Sequence, residues 1–474
     1  MKSIASFTMA LALCAQLLGC GSSLPTVDVS RPEKSAGLIV IRNVAVLDVD
    51  SLEVTSGRDV VISGGKIVGI VQTGKMPAVA GAQIISGEGA TLVPGLIDMH
   101  GHVNTATGPS WQPALPDPEA NLRAYLYAGV TTVFDPSDAS DDAFSRRERV
   151  ANGELIGPRI YSTGMLITCS GGHPRALIQM LAPSWIAWYL VPRAATAVDT
   201  EAEAFAEVNR LADAGADAIK IVIDAIPLDA PRMPRKIAAA IVAQAKFRGL
   251  RTVAHIGTTE DAIDAAEAGV ALWVHGVYKE RIPDDKIAVL AGYGIPVVTT
   301  SEVFDRWGRS RQGPIDPTRL ETEIVAQQVL DAFAEPPEDF DVGGFNSWLE
   351  LAANTREVRL DNVRRMHEAG MTILAGSDVQ SGVFPGASLH RELAILVDAG
   401  FTPAEAIRAA TLDPARFLAG GGEPDSGIIQ VGKRADLLLV NGDPTLDIAA
   451  LADIRQVFLQ GVPINRTAVA VATP

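Results

Sequence analysis

The chain has 474 residues, of which 47% are hydrophobic and 20% are charged, so it has material for a large core and disorder is not expected. Its formal net charge is −16 at pH 7. A charge of this sign argues against a nucleic-acid partner, because a protein that binds phosphates needs a basic surface to displace their counterions.

The first 20 residues are typical of a secretion signal. An apolar run from Ile4 to Leu18 is too short and too interrupted for a transmembrane helix but suits the core of a signal peptide. It ends in Leu17-Leu18-Gly19-Cys20, which resembles the lipobox of bacterial lipoproteins, where the cysteine is lipidated and becomes the first residue. We predict a lipoprotein signal peptide over 1–19, lipidation of Cys20 and a tether over 20–36, with ordinary secretory cleavage as the alternative.

This leader predicts a place in the bacterial cell envelope. No later segment of the sequence contains an apolar run of about 18 residues, so contact with the membrane is expected through the lipid anchor alone. Gly21 follows the cysteine, which resembles the sorting signal for the outer membrane, facing the periplasm or the surface. Cys169 is then the one unmodified cysteine, so no intramolecular disulfide is expected.

Both ends of the remaining chain alternate apolar and polar residues, with glycine-rich turns between the alternating stretches. The N-terminal stretch covers residues 38–72 and contains a predicted hairpin at Ser63-Gly64-Gly65. Similar stretches return at 426–444 and 453–464. Alternation with a period of two predicts antiparallel strands, and we predict one small β-domain built from residues 37–92 and 423–470.

The middle of the chain, residues 93–422, repeats an amphipathic helix, then a glycine, then a short β-favouring run. Glycine just after a helix adopts the left-handed conformation without a steric clash, so it marks a turn from a helix into a strand. The predicted strands are 96–102, 131–136, 158–164, 218–224, 252–257, 272–277, 296–301 and 372–378. Eight parallel strands with helices between them predict an α/β fold of the (β/α)8 TIM barrel type, and an open doubly wound sheet is the alternative.

Two long connections interrupt this repeat, at residues 166–200 and 303–350. Each follows a predicted strand, so in a barrel both lie on the C-terminal face, where substrates bind. We therefore expect them to be loops that bind or cover a substrate.

Six residues with metal-binding chemistry fall in or at the ends of the predicted strands. His100 and His102 end the first strand with a spacing of two, which directs both imidazoles to the same side. The others belong to the fourth, fifth, sixth and eighth strands: Lys220, His255, His275 and Asp378. Because the carboxyl ends of barrel strands meet at one mouth, we expect all six to surround one site.

The chain resembles the amidohydrolase superfamily, and in particular its branch of dipeptidases and imidazolonepropionase-like enzymes. The motifs that carry the resemblance are LVPGLIDMHGHVN (92–104), AIKIVID (218–224), VAHIGT (253–258), VHGVY (274–278), LAGSD (374–378) and GIIQVGKRADLLLV (427–440). The resemblance covers residues 38–466 and implies a metal-dependent hydrolase in which both chain ends form a small β-sandwich beside the barrel.

The resemblance also implies a pair of divalent metal ions, most often zinc. His100, His102 and Asp378 would hold one ion, and His255 and His275 the other. Lys220 would bridge the two after its amine has reacted with carbon dioxide to form a carbamate, a step that burial of the lysine favours. Two adjacent cations produce hydroxide from water near pH 7, and Asp378 is then the expected proton shuttle to the leaving nitrogen.

Two further residues are candidates for contact with the substrate. His173, in the segment Ser170-Gly171-Gly172-His173, resembles a histidine that faces the substrate in the same branch, and an ordinary loop histidine is the alternative. Tyr278 follows His275 by three residues and is expected to point into the mouth.

The resemblance favours cleavage of a small-molecule amide or peptide, namely an Xaa-Pro-type dipeptide or an N-acyl amino acid. Such substrates carry a carboxylate, which arginines in the long connections are expected to bind: Arg175, Arg306, Arg309 and Arg311. The alternatives are a cyclic amidase or lactonase using the same site, and a metal-binding lipoprotein without catalytic activity. A homo-oligomer is compatible with the sequence.

Overall fold

The computed structural model describes residues 27–32, 37–77, 80–112, 114–138, 142–182, 184–309, 314–337 and 343–468. The predicted signal peptide, Cys20 and most of the tether lie outside these described residues. Among the helices within these ranges, none has both the length and the apolar character needed to cross a bilayer.

The strands within the described residues are mostly short. In chain order they are β1 Val27–Ser30, β2 Leu38–Asp48, β3 Glu53–Ser63, β4 Lys66–Gln72, β5 Gln83–Ser86, β6 Ala90–Pro94, β7 Leu96–Asp98, β8 Val130–Asp135, β9 Arg159–Ser162, β10 Ile167–Thr168, β11 Thr196–Ala197, β12 Ala218–Val222, β13 Arg251–His255, β14 Leu272–Val274, β15 Val297–Thr299, β16 Ile373–Ala375, β17 Leu437–Asn441, β18 Ile454–Leu459 and β19 Val462–Ala468.

The helices follow the strands of the middle region. In chain order they are α1 Pro118–Tyr127, α2 Ala143–Ala151, α3 Arg175–Leu181, α4 Ser184–Ala194, α5 Glu201–Ala214, α6 Arg235–Phe247, α7 Thr259–Ala268, α8 Asp284–Gly292, α9 Ser301–Arg309, α10 Arg319–Ile324, α11 Gln327–Ala334, α12 Asn346–Asn354, α13 Arg356–Glu368, α14 Ala387–Asp398, α15 Pro403–Ala409 and α16 Leu412–Leu418. Short 3-10 helices occupy Gly343–Phe345 and Ile448–Ala452.

The sequence determines where several of these helices begin and end. Before α5, Thr200 accepts a hydrogen bond from the backbone N–H of Glu203, whose own side chain bonds back to Thr200, and the helix ends at Gly215 with φ 93°. Helix α15 begins with a second capping box, formed by Thr402 and Glu405. Each such boundary sets the direction in which the chain enters the next strand.

The middle region contains two parallel sheets that include all eight predicted strands. One has the order β7-β8-β9 and the other the order β11-β10-β12-β13-β14-β15-β16. Backbone hydrogen bonds link them at both junctions: Met99 N–H donates to the Ala375 carbonyl (3.1 Å) and Asp217 N–H to the Ser162 carbonyl (2.9 Å). The predicted α/β fold with parallel strands is therefore confirmed.

The side chains on one face of these strands pack against one another in a shared interior. The buried cluster there draws residues from seven of the eight strands or the positions just after them: Ile97, Met99, Phe134, Ala218, Val253, Leu272, Val274, Val298 and Leu374. The alternating residues of the same strands, such as Ile219, Ala254 and Trp273, join the larger cluster beneath the helices. This alternation decides which side chains can reach a shared interior.

The two long connections contain helices, which corrects the expectation of loops. The first holds α3, α4 and the short strands β10 and β11, and the second holds α9 to α12. Within the second connection, α9 and α12 share an apolar cluster in which Val303 and Phe304 pack with Trp348 and Leu349. Because these contacts join residues far apart in the sequence, local periodicity did not reveal them.

The strands from the two chain ends pair in a single sheet of nine strands. Its order is β1-β19-β18-β17-β6-β2-β3-β4, and β5 pairs with β2. The predicted hairpin at Ser63–Gly65 joins β3 to β4, which pair antiparallel. Strand β6 pairs antiparallel with β17, with Leu92 opposite Leu439. Both ends therefore contribute to one sheet, while the boundaries 37–92 and 423–470 of a β-domain stay a prediction.

Candidate active site

A cavity of about 330 Å³ lies where the parallel strands end. Its lining includes all six predicted metal-site residues and His173: His100, His102, His173, Lys220, His255, His275 and Asp378. Side chains from five different strands or the positions just after them are thus brought to one place.

His100, His275 and Asp378 form the tightest group in this cavity. One candidate ligand atom of each lies within 4.8 Å of the other two, and all three residues are buried. The Oδ1 atom of Asp378 is also 3.2 Å from Nε2 of His102. The His255 and His275 rings have centroids 4.1 Å apart. Imidazole nitrogens and carboxylate oxygens that converge in this way are the ligand set that zinc and similar divalent ions prefer.

His275 reaches this cavity through an unusual backbone conformation. Leu272 and Val274 both face the inner cluster, so a regular strand would direct the next residue, His275, to the opposite side. Instead His275 has φ 76°, and its N–H donates to the Val298 carbonyl at 2.9 Å. Asp378 also has a left-handed backbone, with φ 57°. Such a conformation costs roughly 1–3 kcal/mol per residue, so the surrounding structure must hold both residues in place.

Lys220 satisfies the chemical requirement for a carbamate. It is 2% exposed, and among the described residues its Nζ has no hydrogen-bond partner. Burial lowers the pKa of this amine to about 7. A large fraction is therefore neutral near pH 7, and the neutral amine is the form that adds carbon dioxide. An unpaired buried amine with this pKa fits a group that is modified or that lies beside a metal.

Burial also keeps three of the histidines in the form that binds metal. It lowers the pKa of His100, His255 and His275 well below 6.5, and the neighbouring cationic groups lower it further. These imidazoles are therefore neutral at pH 7, and a neutral ring nitrogen is what a metal ion requires.

His102 and Asp378 behave as a charged pair. Burial lowers the pKa of His102, but hydrogen bonds to Asp135 and Asp378 outweigh this effect and raise it to about 10. Burial raises the pKa of Asp378, but His102 and His275 outweigh it and leave the pKa below its usual value. Asp378 is therefore a carboxylate at neutral pH and can accept a proton.

Three residues that we did not predict orient the histidines. Nε2 of His255 is hydrogen-bonded to Asp224 (3.2 Å), and Nδ1 of His275 to the Thr300 hydroxyl (2.7 Å). Asp135 lies 3.6 Å from Nδ1 of His102. A partner on one ring nitrogen leaves the other for a metal and sets the angle of the ring.

Asp224 is the centre of a buried hydrogen-bond group. Its Oδ2 accepts from the Tyr278 hydroxyl (2.7 Å) and its Oδ1 from Nζ of Lys279 (2.5 Å). The indole N–H of Trp348 donates to the same Tyr278 hydroxyl (3.1 Å). Gly257 makes room for the carboxylate, because a Cβ there would lie 2.5 Å from Asp224 Oδ2. The signal in the sequence was the spacing of four between Lys220 and Asp224, which places both on one side of β12.

The two predicted substrate contacts have different positions. His173 lines the cavity with its ring 5.1 Å from that of His255, and burial lowers its pKa to about 4, so it is neutral. Tyr278 is 1% exposed and is not among the described residues that line the cavity. Its hydroxyl is hydrogen-bonded to Asp224 and Trp348, so Tyr278 lies behind the residues that line the cavity. This differs from the contact with substrate that we expected.

Three of the four arginines expected to bind a substrate carboxylate, Arg175, Arg306 and Arg309, do not line this cavity. Arg175 and Arg309 line other cavities. Arg306 is held in ion pairs by two buried glutamates. Arg311 lies outside the described residues. The expected carboxylate contacts of the three described arginines are therefore not present.

Comparison with known proteins agrees with this geometry. The family model described as "Amidohydrolase family" matches residues 91–464. The chain is 33% identical over 130 residues to the N-substituted formamide deformylase of Arthrobacter pascens, covering 25% of this chain and 23% of that protein. It is 32% identical over 105 residues to the imidazolonepropionase of Deinococcus deserti, covering 21% of this chain and 26% of that protein. The chain spans about a quarter of the length of the curated relatives it matches.

Solved structures match over most of the chain. A Xaa-Pro dipeptidase with bound methionine has a TM-score of 0.72 and 25% identity, covering 90% of this chain and 99% of that one. A putative prolidase from Bifidobacterium longum has a TM-score of 0.69 and 25% identity, covering 91% and 95%. Phenylurea hydrolase B, at 21% identity and a TM-score of 0.69 over 92% and 98%, shows likeness of fold alone.

Proposed function

Because the chain belongs to the amidohydrolase family, we propose that it is a metal-dependent hydrolase that cleaves the C–N bond of an amide. The observation that carries the proposal is the meeting of four histidines, Lys220 and Asp378 in one buried cavity at the strand ends. Buried polar groups without partners destabilise a fold, so apolar residues would stabilise this position better if its role were only structural.

The proposal includes the architecture. We propose that the eight parallel strands close into a (β/α)8 barrel and that the nine-stranded sheet of the chain ends forms a β-sandwich beside it. The hydrogen bonds from Met99 to Ala375 and from Asp217 to Ser162 support closure, because they join the two parallel sheets at both sides. The inner apolar cluster shared by the strands supports it as well.

We propose that two divalent ions, zinc in the first instance, bind in the cavity. His100, His102 and Asp378 would hold one ion and His255 and His275 the other, with Lys220 bridging them as a carbamate. The neutral, buried imidazoles of His100, His255 and His275 and the unpaired Nζ of Lys220 support metal binding here, and His102 would give up its proton on joining them. When bound, two such ions would lower the pKa of a water molecule between them and polarise the scissile carbonyl.

The residues of the chain then have definite tasks. Asp378, a carboxylate at neutral pH, accepts a proton from the attacking water as the water oxygen bonds to the carbonyl carbon of the substrate. It passes that proton to the nitrogen as the C–N bond breaks, so that a carboxylic acid and an amine leave. His173, which is neutral and lines the cavity, would hydrogen-bond the substrate near the reacting carbonyl. Asp135, Asp224 and Thr300 hold the histidine rings at fixed angles.

The proposal extends to the place of action. The lipobox-like ending of the leader at Cys20 supports a protein anchored by lipid in the bacterial cell envelope, with its catalytic part outside the cytoplasm. Its substrate would then be a small amide present on the outer side of a membrane.

Metal analysis combined with a screen of amides, dipeptides and N-acyl amino acids tests the proposal. We expect bound divalent metal, activity lost on chelation and restored by zinc, and at least about a 100-fold fall in kcat for Asp378→Asn. Asp229→Asn, the same change at an exposed aspartate, is the matched control and should keep full activity. A protein without metal, or Asp378→Asn with full activity, would exclude the proposed chemistry.

A further inference from the structure

The side of the cavity that faces the predicted metal centre is apolar and largely aromatic. It is formed by α9, α12 and the 3-10 helix before α12, with α3 contributing further apolar side chains. The wall residues are Val303, Phe304, Trp307, Phe345, Trp348, Leu177 and Ile178. A surface of this kind binds flat or bulky apolar groups.

This wall is built before any substrate arrives. The rings of Phe345 and Trp348 are stacked with centroids 4.9 Å apart, and Phe304 lies 5.8 Å from Trp348. Leu349 and Ala352 of α12 pack behind them in the same cluster. The Phe304 ring is also 5.9 Å from the His275 ring, so the wall extends to a predicted metal ligand. A group bound against the wall therefore lies next to the bond that would be cleaved.

The described lining contains no arginine, and its only lysine is Lys220, beside the histidines. His173 belongs with the other histidines of the lining, since its ring lies 5.1 Å from that of His255. His102 lies 3.2 Å from the Asp378 carboxylate and 3.6 Å from the Asp135 carboxylate, so any charge on its ring is opposed by two carboxylates. The remaining polar lining is uncharged: Asn104, Thr105, Ser137 and Gln380. Groups of this type suit a neutral carbonyl or amide rather than a carboxylate.

Among the residues that the structure describes, the cations near the cavity are engaged by other groups. Nζ of Lys279 donates to Asp224 and to the Ala225 carbonyl, each at 2.5 Å. Arg306 is paired with buried glutamates, and Arg175 donates to a backbone carbonyl. Apart from the predicted metal ions, beside which the scissile carbonyl would lie, a carboxylate against the aromatic wall would thus find no cation among the described residues to replace the water it loses, and such a transfer is among the least favourable in proteins.

We propose, on the basis of the proposed amide hydrolysis, that the substrate is an uncharged amide with a bulky aromatic or aliphatic group and no carboxylate beside the scissile bond. The apolar wall binds the bulky group, and the neutral polar residues contact the amide. This inference replaces the dipeptide or N-acyl amino acid that we expected from the sequence.

A matched pair of compounds tests the inference. Phenylacetylpyrrolidine and phenylacetyl-L-proline differ only in the carboxylate, and L-phenylalanyl-L-proline is the dipeptide reference. We expect kcat/KM for the neutral amide to exceed that of both acids by at least about tenfold. A preference for either acid would overturn the inference and leave the hydrolase function intact.

A binding measurement separates this inference from the hydrolase function. Trp307 and Trp348 line the cavity, so quenching of tryptophan fluorescence in the metal-free protein reports binding without turnover. The neutral amide should bind at least about tenfold more tightly than phenylacetyl-L-proline. If no compound is cleaved but this order of binding holds, the hydrolase function fails, while the preference of the cavity for a neutral amide stands as a binding preference. Equal or tighter binding of the acid overturns the inference, whatever is cleaved.

Variants at one wall position sharpen the test. Leu177→Arg adds a guanidinium to the half-buried wall and should shift relative kcat/KM toward the acid by about tenfold, whereas Leu177→Met should keep the preference for the neutral amide. Arg311→Ala is included because Arg311 lies outside the described residues, and it should leave the preference unchanged. A selective loss of activity on the acid in Arg311→Ala, or an unchanged preference in a folded Leu177→Arg, would contradict the inference.

Discussion

Replacement of Asp224 by asparagine is expected to weaken both the fold and metal binding, for separable reasons. The Asp224 carboxylate is 2% exposed and is bonded to Tyr278, Lys279 and His255. Asparagine keeps the shape but removes the charge, so Lys279 would remain nearly buried without a counter-charge. Breaking a buried ion pair from one side costs about 3–5 kcal/mol, and we expect the lower end because the Lys279 side chain is 10% exposed.

The effect on metal has a different origin. Asp224 holds Nε2 of His255, and loss of such a partner lowers metal affinity by about 10–100-fold. The double variant Asp224→Asn with Lys279→Met removes the unpaired charge as well. We expect it to recover most of the lost free energy of unfolding while metal affinity stays low.

Two assays on the same three proteins decide the matter. Denaturant titration gives the free energy of unfolding, and competition with a chromophoric chelator gives the zinc affinity. If the double variant recovered metal affinity together with stability, Asp224 would act only by balancing the charge of Lys279, and its role in orienting His255 would be refuted. Wild-type affinity in Asp224→Asn would refute it equally.

Three further predictions follow from single groups. Lys220→Ala should lose bound metal and activity, with partial rescue by a short carboxylic acid that replaces the carbamate; an unchanged metal content in elemental analysis would exclude the bridge. Glu392 of α14 is buried, and burial raises its pKa to about 7, so it stabilises the fold at low pH and this contribution is lost as the pH rises through about 7. Glu392→Gln should therefore gain up to about 3 kcal/mol relative to wild type between pH 5 and pH 8 in denaturant titrations, and a pH-independent difference would contradict the cause given. Cys20→Ser should release the protein from the membrane fraction, and persistent membrane association would count against lipidation.

Much of the fold could be predicted because its signals are local. Glycines such as Gly215 and Gly269 have φ of 93° and 92° and end helices where the sequence pattern indicated. All eight predicted strands are present and lie within one residue of their predicted ranges, whereas the short parallel strands β10 and β11 were not predicted. The site could be predicted in outline for the same reason, since alternation along β12 and β13 puts Lys220 and His255 on the interior side.

What could not be predicted depends on contacts between distant residues. The backbone turn that brings His275 inward is stabilised by Val298, and alternation alone would have pointed the ring outward. The helical wall around Trp348 forms only because α9 packs against α12. The partners of Arg306 are likewise set by packing. We expected Arg306 to bind a substrate carboxylate, but it forms an internal ion pair with Glu321.

The pairing of both chain ends in one sheet has a consequence for how the protein is made. Strand β6 can pair with β17 only after the whole middle region has been synthesised. The Thr91 hydroxyl of β6, for example, donates a hydrogen bond to the carbonyl of Gly442, which lies 351 residues later in the sequence. At about 5–20 residues per second, the ribosome needs roughly 20–70 s to supply that partner. During this interval the edge of β6 is open, and a chain released early or shortened at its C-terminus would keep that edge available for aggregation.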